Sequence, residues 1–245
     1  MMIEWKHRKS EQEVVELLKD VARQDPDLLG VFPRRVEDLL ALVFAVSFES
    51  CRNLSAGTIV QILGDQYGVD HGELLEDGDA QLAGYTFARG EFAVIFSESS
   101  FGEEFERFTK AHEAGHLVVE YWPLLARSKQ PALFGGEPGP TLYARRDPPG
   151  HIFLGTAAVA GREPDDYRKL RANHQAWLRE VIANGFAAEL LAPYREVGRL
   201  AAQLPKGRDL VATVRSRFGL SRSAAETRLT ELGLLQGPDT VRFLY

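Results

Sequence analysis

Apolar residues recur at helical spacing towards both ends of the chain and alternate with a period near two only in its middle. Val14, Val15, Leu17, Leu18 and Val21 follow Ser10-Glu11-Gln12-Glu13, a capping-box pattern that predicts a helix opening at Ser10. Asp25-Pro26 stops it. Helical patterns also cover 35–50 and 56–67, with Gly68 placed to end the second. The stretch LAGYTFARGEFAVIF holds two β-rich runs about Arg89-Gly90 and reads as a hairpin. SFGEEFERFTKAHEAGHLVVEYW then predicts a helix opening on Ser99 or Ser100, acidic in its first turn and ending near Pro123. Residues 124–165 are rich in Gly and Pro and read as loops around two short strands, TLYAR and HIFLG. A long helical pattern runs from Asp166 to Leu191, where Ala192-Pro193 breaks it. The tail, RDLVATVRSRFGLSRSAAETRLTELGLL, predicts two short helices around FGLS.

These elements define an α+β fold, mostly helical, with a small β-sheet packed against the helix that carries HEAGH. Three regions follow: a helical N-terminal scaffold (1–78), a core (79–200) with a loop-rich insertion at 124–165, and a small helical C-terminal subdomain (201–245). There is no internal repeat and no low-complexity tract.

Composition narrows the classes. The chain has 245 residues, 44% of them hydrophobic, enough for a real core. A net charge of −6 argues against a protein whose main role is coating nucleic acid. Residues 205–245 depart from this, with seven Lys/Arg against four Asp/Glu. Cys51 is the single cysteine, which excludes an internal disulfide and a Cys-rich zinc site. The N-terminal MMIEWKHRKSEQE lacks the apolar core of a secretory signal. The longest apolar run, Leu39 to Phe48, is too short to cross a bilayer. The expectation is a cytoplasmic protein with no membrane partner.

The chemistry concentrates in HEAGH. Positions i and i+4 share a helix face, so His112 and His116 can aim ring nitrogens at one metal ion. Glu113, one step round the helix, can take a proton from a water held there; this is the division of labour that H-E-x-x-H supports. A third ligand is needed. The extended form H-E-x-x-H-x-x-G-x-x-H fails, because Val119 and Trp122 stand at its glycine and histidine positions. REVIANGFAAELLAP offers Glu180, with Asn184 four residues on as an acceptor for a ring N–H of a ligating histidine. Ala183, Ala187 and Ala188 keep that helix slim. Glu163, Asp165 and Asp166 are rival acids without this helix-face arrangement.

RFTKAHEAGH together with E-x-x-A-N-x-F-A-A-E-L-L-x-P resembles the ImmA/IrrE metallopeptidases, which have a gluzincin-type site. The hairpin ahead of the HEAGH helix and the closing RFGLSRSAAETRLTELGLL are similar to that family's layout. The resemblance spans roughly residues 55–235. It implies a zincin-like core, zinc on His112, His116 and Glu180 (manganese being accepted by the same donors), and Glu113 as catalytic base. It also implies a zinc-dependent endopeptidase that cleaves a helix-turn-helix transcriptional repressor in a stress-response or mobile-element circuit.

Tyr143, Arg145, His151 and His174 are candidate donors to a developing oxyanion. The strand over 91–97 is a candidate edge for an extended substrate. FGLS between short helices, with Arg215, Arg217, Arg222 and Arg228 on a basic side, also resembles a DNA-binding helix-turn-helix. The favoured reading of the tail is a packed subdomain that helps hold the protein substrate. The alternatives to a peptidase are a DNA-binding regulator with a structural zinc site, and a degenerate peptidase that binds its partner without cutting it.

Overall fold

A computed structural model describes residues 2–72, 81–128, 141–146, 174–205 and 207–235. The strand expected at HIFLG, the start of the Asp166 helix and most of the 124–165 insertion lie outside these residues. Helix α1 (Met2–Gln24) leads to a 3-10 turn (Pro26–Gly30) capped by Asp25, then α2 (Val36–Ala41), β1 (Ala45–Cys51) and α3 (Ala56–Tyr67). Strands β2 (Gly84–Arg89) and β3 (Phe92–Glu98) form the hairpin, with Gly90 at φ +60° in its turn. Helix α4 (Glu103–His116) passes through a π-helical turn (Leu117–Tyr121) into α5 (Trp122–Ser128). After β4 (Thr141–Arg146) come α6 (His174–Leu191), α7 (Tyr194–Gln203), α8 (Leu210–Phe218) and α9 (Arg222–Glu231). No helix among the described residues is long and apolar enough to cross a membrane.

The four strands lie in the order β1-β3-β2-β4, with β1 parallel to β3 and the other pairs antiparallel. Successive side chains of a strand face opposite sides. Tyr85, Phe87, Val94 and Phe96 therefore meet Leu54, Ile59 and Leu63 from the α3 side, whereas Ala88, Ala93 and Ile95 join the larger core with Phe108, Ala111 and Ala114 of α4. Both faces are covered, so β2 and β3 are apolar nearly throughout. The fold is of the α+β class, mostly helical with one small mixed sheet.

Several expectations are corrected. The helix over 35–50 is a short α2 followed by β1. Val46 and Phe48 pack towards the large core and Glu49 accepts from Tyr67 Oη at 2.6 Å, a period of two that an almost wholly apolar run conceals. The 1–78 region is thus not purely helical: it supplies a strand of the sheet. That strand makes β3 an interior strand, so residues 91–97 offer no free edge; among the described strands the edges are β1 and β4. Ser10 is not a cap. Helix α1 starts eight residues earlier, and the Ser10 hydroxyl donates to the Ile182 carbonyl of α6 at 3.1 Å. A Cβ on Gly185 would stand 2.9 Å from that hydroxyl oxygen, which explains a glycine in the middle of α6.

Helix α4 begins at Glu103 after Gly102 (φ +95°), because Ser99 and Ser100 are used in the preceding turn: Ser99 Oγ donates to Cys51 O and Ser100 N–H to Glu98. Pro123 does not end the helical run. The π turn, with Trp122 N–H reaching Leu117 O, precedes it, and Pro123 falls in the first turn of α5, where its missing N–H is tolerated.

Candidate metal centre

Helices α4 and α6 cross at Gly115 and Ala183. A Cβ on Gly115 would lie 2.9 Å from Ala183 Cα, so only a residue without one allows this approach. The close crossing brings the Glu180 carboxylate onto the two histidines. His112 and His116 are 2% and 3% exposed, and their Nε2 atoms are 3.1 Å apart. Glu180 Oε2 lies 3.2 Å from His112 Nε2, and Oε1 lies 3.4 Å from His116 Nε2. These three residues form a group that could hold a metal ion. The Glu180 side chain is 35% exposed, so the group is reached from solvent on the α6 side.

The far nitrogens are also held. His112 Nδ1 is 2.9 Å from Asn184 Oδ1, and His116 Nδ1 is 2.5 Å from Glu120 Oε1. An Asn carbonyl and a carboxylate accept only, so in neutral rings both protons sit on Nδ1 and both Nε2 lone pairs turn inward. Glu113 is fully buried, and its Oε2 accepts from Thr86 Oγ1 of β2 at 2.7 Å. Gly84 makes room for it: a Cβ there would stand 2.8 Å from Glu113 Oε1.

The electrostatics favour a cation between the helices. Burial alone would push the His116 imidazole down, but the carboxylates of Glu120 and Glu180 outweigh it and raise its pKa to about 10. Burial would push the Glu180 carboxyl up, yet His112 and His116 hold it well below the ordinary carboxylate range. Without a metal the site keeps a proton; metal binding at such a site would have to displace it.

Among the described residues the group consists of these three. In register, Tyr143 stands opposite Phe87 and Arg145 opposite Tyr85, whereas Ala144 stands opposite Thr86, the residue that reaches Glu113. His174 opens α6, six residues ahead of Glu180. His151, Glu163, Asp165 and Asp166 lie outside the described residues. In the tail, Arg215 pairs with Glu104, Arg222 with Glu226 and Arg228 with Glu189, while Arg217 lies over the Phe32 ring. The basic side of the tail is thus largely engaged within the chain.

Thr86 and Glu120 were missed by sequence reasoning. Each had a signal: a single polar residue inside an apolar run, GYTF for one and LVVEYW for the other. Known protein families scanned against the chain give no match, and neither does a search of curated proteins.

Proposed function

We propose that the protein is a zinc-dependent endopeptidase with a zincin-like core, whose substrate is another protein. The observation that carries this reading is the spacing of the three donor atoms. Tetrahedral zinc with bonds of about 2.05 Å has ligand atoms about 3.3 Å apart. The three donor pairs here are separated by 3.1, 3.2 and 3.4 Å. Two imidazoles and one carboxylate are the donor set of hydrolytic zinc sites that keep a fourth position open. Zinc held by His112, His116 and Glu180 would supply Lewis acidity, making water more acidic and polarising the scissile carbonyl.

The remaining work falls to the chain. Glu113 is the general base: its carboxylate takes the proton of the attacking water and returns it to the leaving amine. Thr86 supports the ionised form by donating to one carboxylate oxygen and fixes its rotamer. Asn184 holds His112 in the tautomer that faces inward. The resemblance to the ImmA/IrrE metallopeptidases adds the substrate class, a helix-turn-helix repressor, and a cytoplasmic setting.

The test is metal content and cleavage measured together. Purified protein should carry close to one zinc per chain by mass spectrometry, and His112→Ala, His116→Ala and Glu180→Ala should each lose it. Repressor proteins encoded beside the gene should be cut by the parent and spared when a chelator is present. Glu113→Gln should fold and keep its metal while cleavage falls by about 10²–10⁴-fold. Full metal content in all three ligand variants would sink the site. Undiminished proteolysis by Glu113→Gln would sink the mechanism, and loss of metal together with fold would make Glu113 structural. Manganese in place of zinc would correct the identity of the ion and leave the donor set standing.

A further inference from the structure

The two histidines are backed by unlike groups. Behind His112 stands a neutral amide, Asn184; behind His116 stands a carboxylate, Glu120, at 2.5 Å. Glu120 comes from the π turn that directly follows HEAGH, and π turns inside helices concentrate at functional sites. Its other oxygen is 3.4 Å from Arg179 Nε, the residue next to Glu180. Helix α6 therefore reaches the pair at three points: Glu180 touches both Nε2 atoms, Asn184 backs His112, and Arg179 steadies the acid that backs His116.

We infer that Glu120 is a positioning residue of the metal centre: it accepts the His116 Nδ1–H bond, fixes the ring so that Nε2 faces the metal position, and makes that nitrogen a stronger donor. The inference rests on the metal reading above and deepens it. An ordinary surface acid four residues from a histidine would face water. Glu120 instead has 17% of its side chain exposed and lies between a nearly fully buried imidazole and a guanidinium. A carboxylate in this place both orients the ring and raises ligand basicity, and loss of such a partner weakens metal affinity by about 10–100-fold.

Two variants separate this role from packing. Glu120→Leu fills similar space with no acceptor; Glu120→Gln keeps an acceptor oxygen without the charge. Zinc affinity is measured by competition with a chromogenic chelator, and the coordination geometry by the visible spectrum of the cobalt(II)-loaded full chain. Unfolding of the metal-free proteins serves as the packing control. The expected result is a zinc affinity about 10–100-fold weaker for Glu120→Leu with an altered cobalt spectrum. Glu120→Gln should recover at least half of that loss on a logarithmic scale, and its cobalt band should stay close to the parent's. Parental affinity and spectrum in Glu120→Leu would overturn the inference, as would a Glu120→Gln variant no better than Glu120→Leu. Should Glu120→Leu not fold, the Gln variant decides alone: more than tenfold weaker binding overturns the role, and weakening within tenfold with a parental cobalt band supports it. A parent that binds no metal would remove the underlying metal reading as well, an outcome distinct from the others.

Discussion

The α4–α6 crossing and the α8–α9 tail are both helical regions with buried charge, yet they balance it in opposite ways. At the crossing, the carboxylates of Glu113, Glu120 and Glu180 gather around two imidazoles, and Arg179 approaches one of them. In the tail the buried Arg228 has Glu189 and adds a bond from Nε to the Ala192 carbonyl at 2.9 Å, while the exposed Arg215 and Arg222 pair with Glu104 and Glu226. A matched set of charges closes a structure; an excess of acid around two imidazoles leaves a place for a cation. That difference separates a site from a clasp. It predicts that damage to the tail will lower stability without touching the metal, and that damage at the crossing will do the reverse or both.

The largest effect should come from Arg228→Ala. Arg228 is 5% exposed and pairs with Glu189, whose carboxyl burial pushes up despite the arginine beside it. Removing one partner of a buried pair strands the other charge, at about 3–5 kcal/mol. Denaturant unfolding should show this loss, while zinc per native chain stays at the parent value. A loss of zinc from the folded variant would erase the distinction between the two regions.

Next in size is Gly115→Val. Its side chain meets the Ala183 backbone and forces the helices apart. Overpacking of this kind costs about 1–3 kcal/mol, and the displaced Glu180 should reduce zinc affinity by more than tenfold. The matched change in the tail is Gly219→Ala. That residue has φ +63°, and its new Cβ would stand 2.8 Å from Pro33 Cβ. A left-handed alanine costs about 1–2 kcal/mol, with no change in zinc affinity. Equal zinc affinity in the two variants would show that the close crossing does not set the metal site.

Much of the crossing was visible in the sequence, since i,i+4 spacing alone shows that His112 with His116, and Glu180 with Asn184, share helix faces. The rest depended on what faces those positions. Glu120 acquires a role only through the π turn, and Thr86 only through the strand register that lays β2 over Glu113. Strand β1 was hidden because Leu39 to Phe48 is apolar at almost every position, and such a run has no period to read. Ser10 misled for the opposite reason: it fits a capping box, yet its hydroxyl is committed to the backbone of a helix more than 170 residues away. The two short helices around FGLS are present as α8 and α9; Ser221 caps α9 through Ala224 N–H and Gly219 ends α8 in the left-handed region. What its spacing did not reveal was that Arg215, Arg222 and Arg228 are already paired.

Thr86→Val sharpens the comparison within the crossing itself. It preserves shape and removes the hydroxyl that donates to Glu113. Stability should change by about 1 kcal/mol, the net worth of one hydrogen bond, and zinc should stay. Cleavage should fall about tenfold because the base is less well aimed. Unchanged cleavage would show that Thr86 serves packing alone.

The smallest effect concerns a third cluster, which behaves like the tail although it lies on the helix of the site. Lys110 bonds Glu37 at 2.6 Å and Glu106 at 2.7 Å, and Ser97 also donates to Glu106. Burial pushes the Glu106 carboxyl up, but the bonds from Lys110 and the two serines, Ser50 and Ser97, outweigh it and hold the pKa below its ordinary value. Burial likewise pushes the Lys110 ammonium down, and the two glutamates raise it above its ordinary value. A carboxyl depressed in the folded state stabilises the protein above its unfolded pKa, and that contribution is lost as pH falls through the folded one. A raised ammonium stabilises below its unfolded pKa and loses its contribution as pH rises through the folded one. The cluster therefore contributes in full between about pH 5 and pH 10. Lys110→Met should lower stability at pH 7 by about 1 kcal/mol, the upper end for a partly exposed pair. The gap between parent and variant should then narrow as pH falls from 5 towards 3, because Glu106 becomes protonated in both. Denaturant unfolding at pH 7, 5 and 3 reads this directly. A gap that stays constant over that range would mean Lys110 acts through its methylene stem and not its charge, and α4 would then carry one charged cluster rather than two.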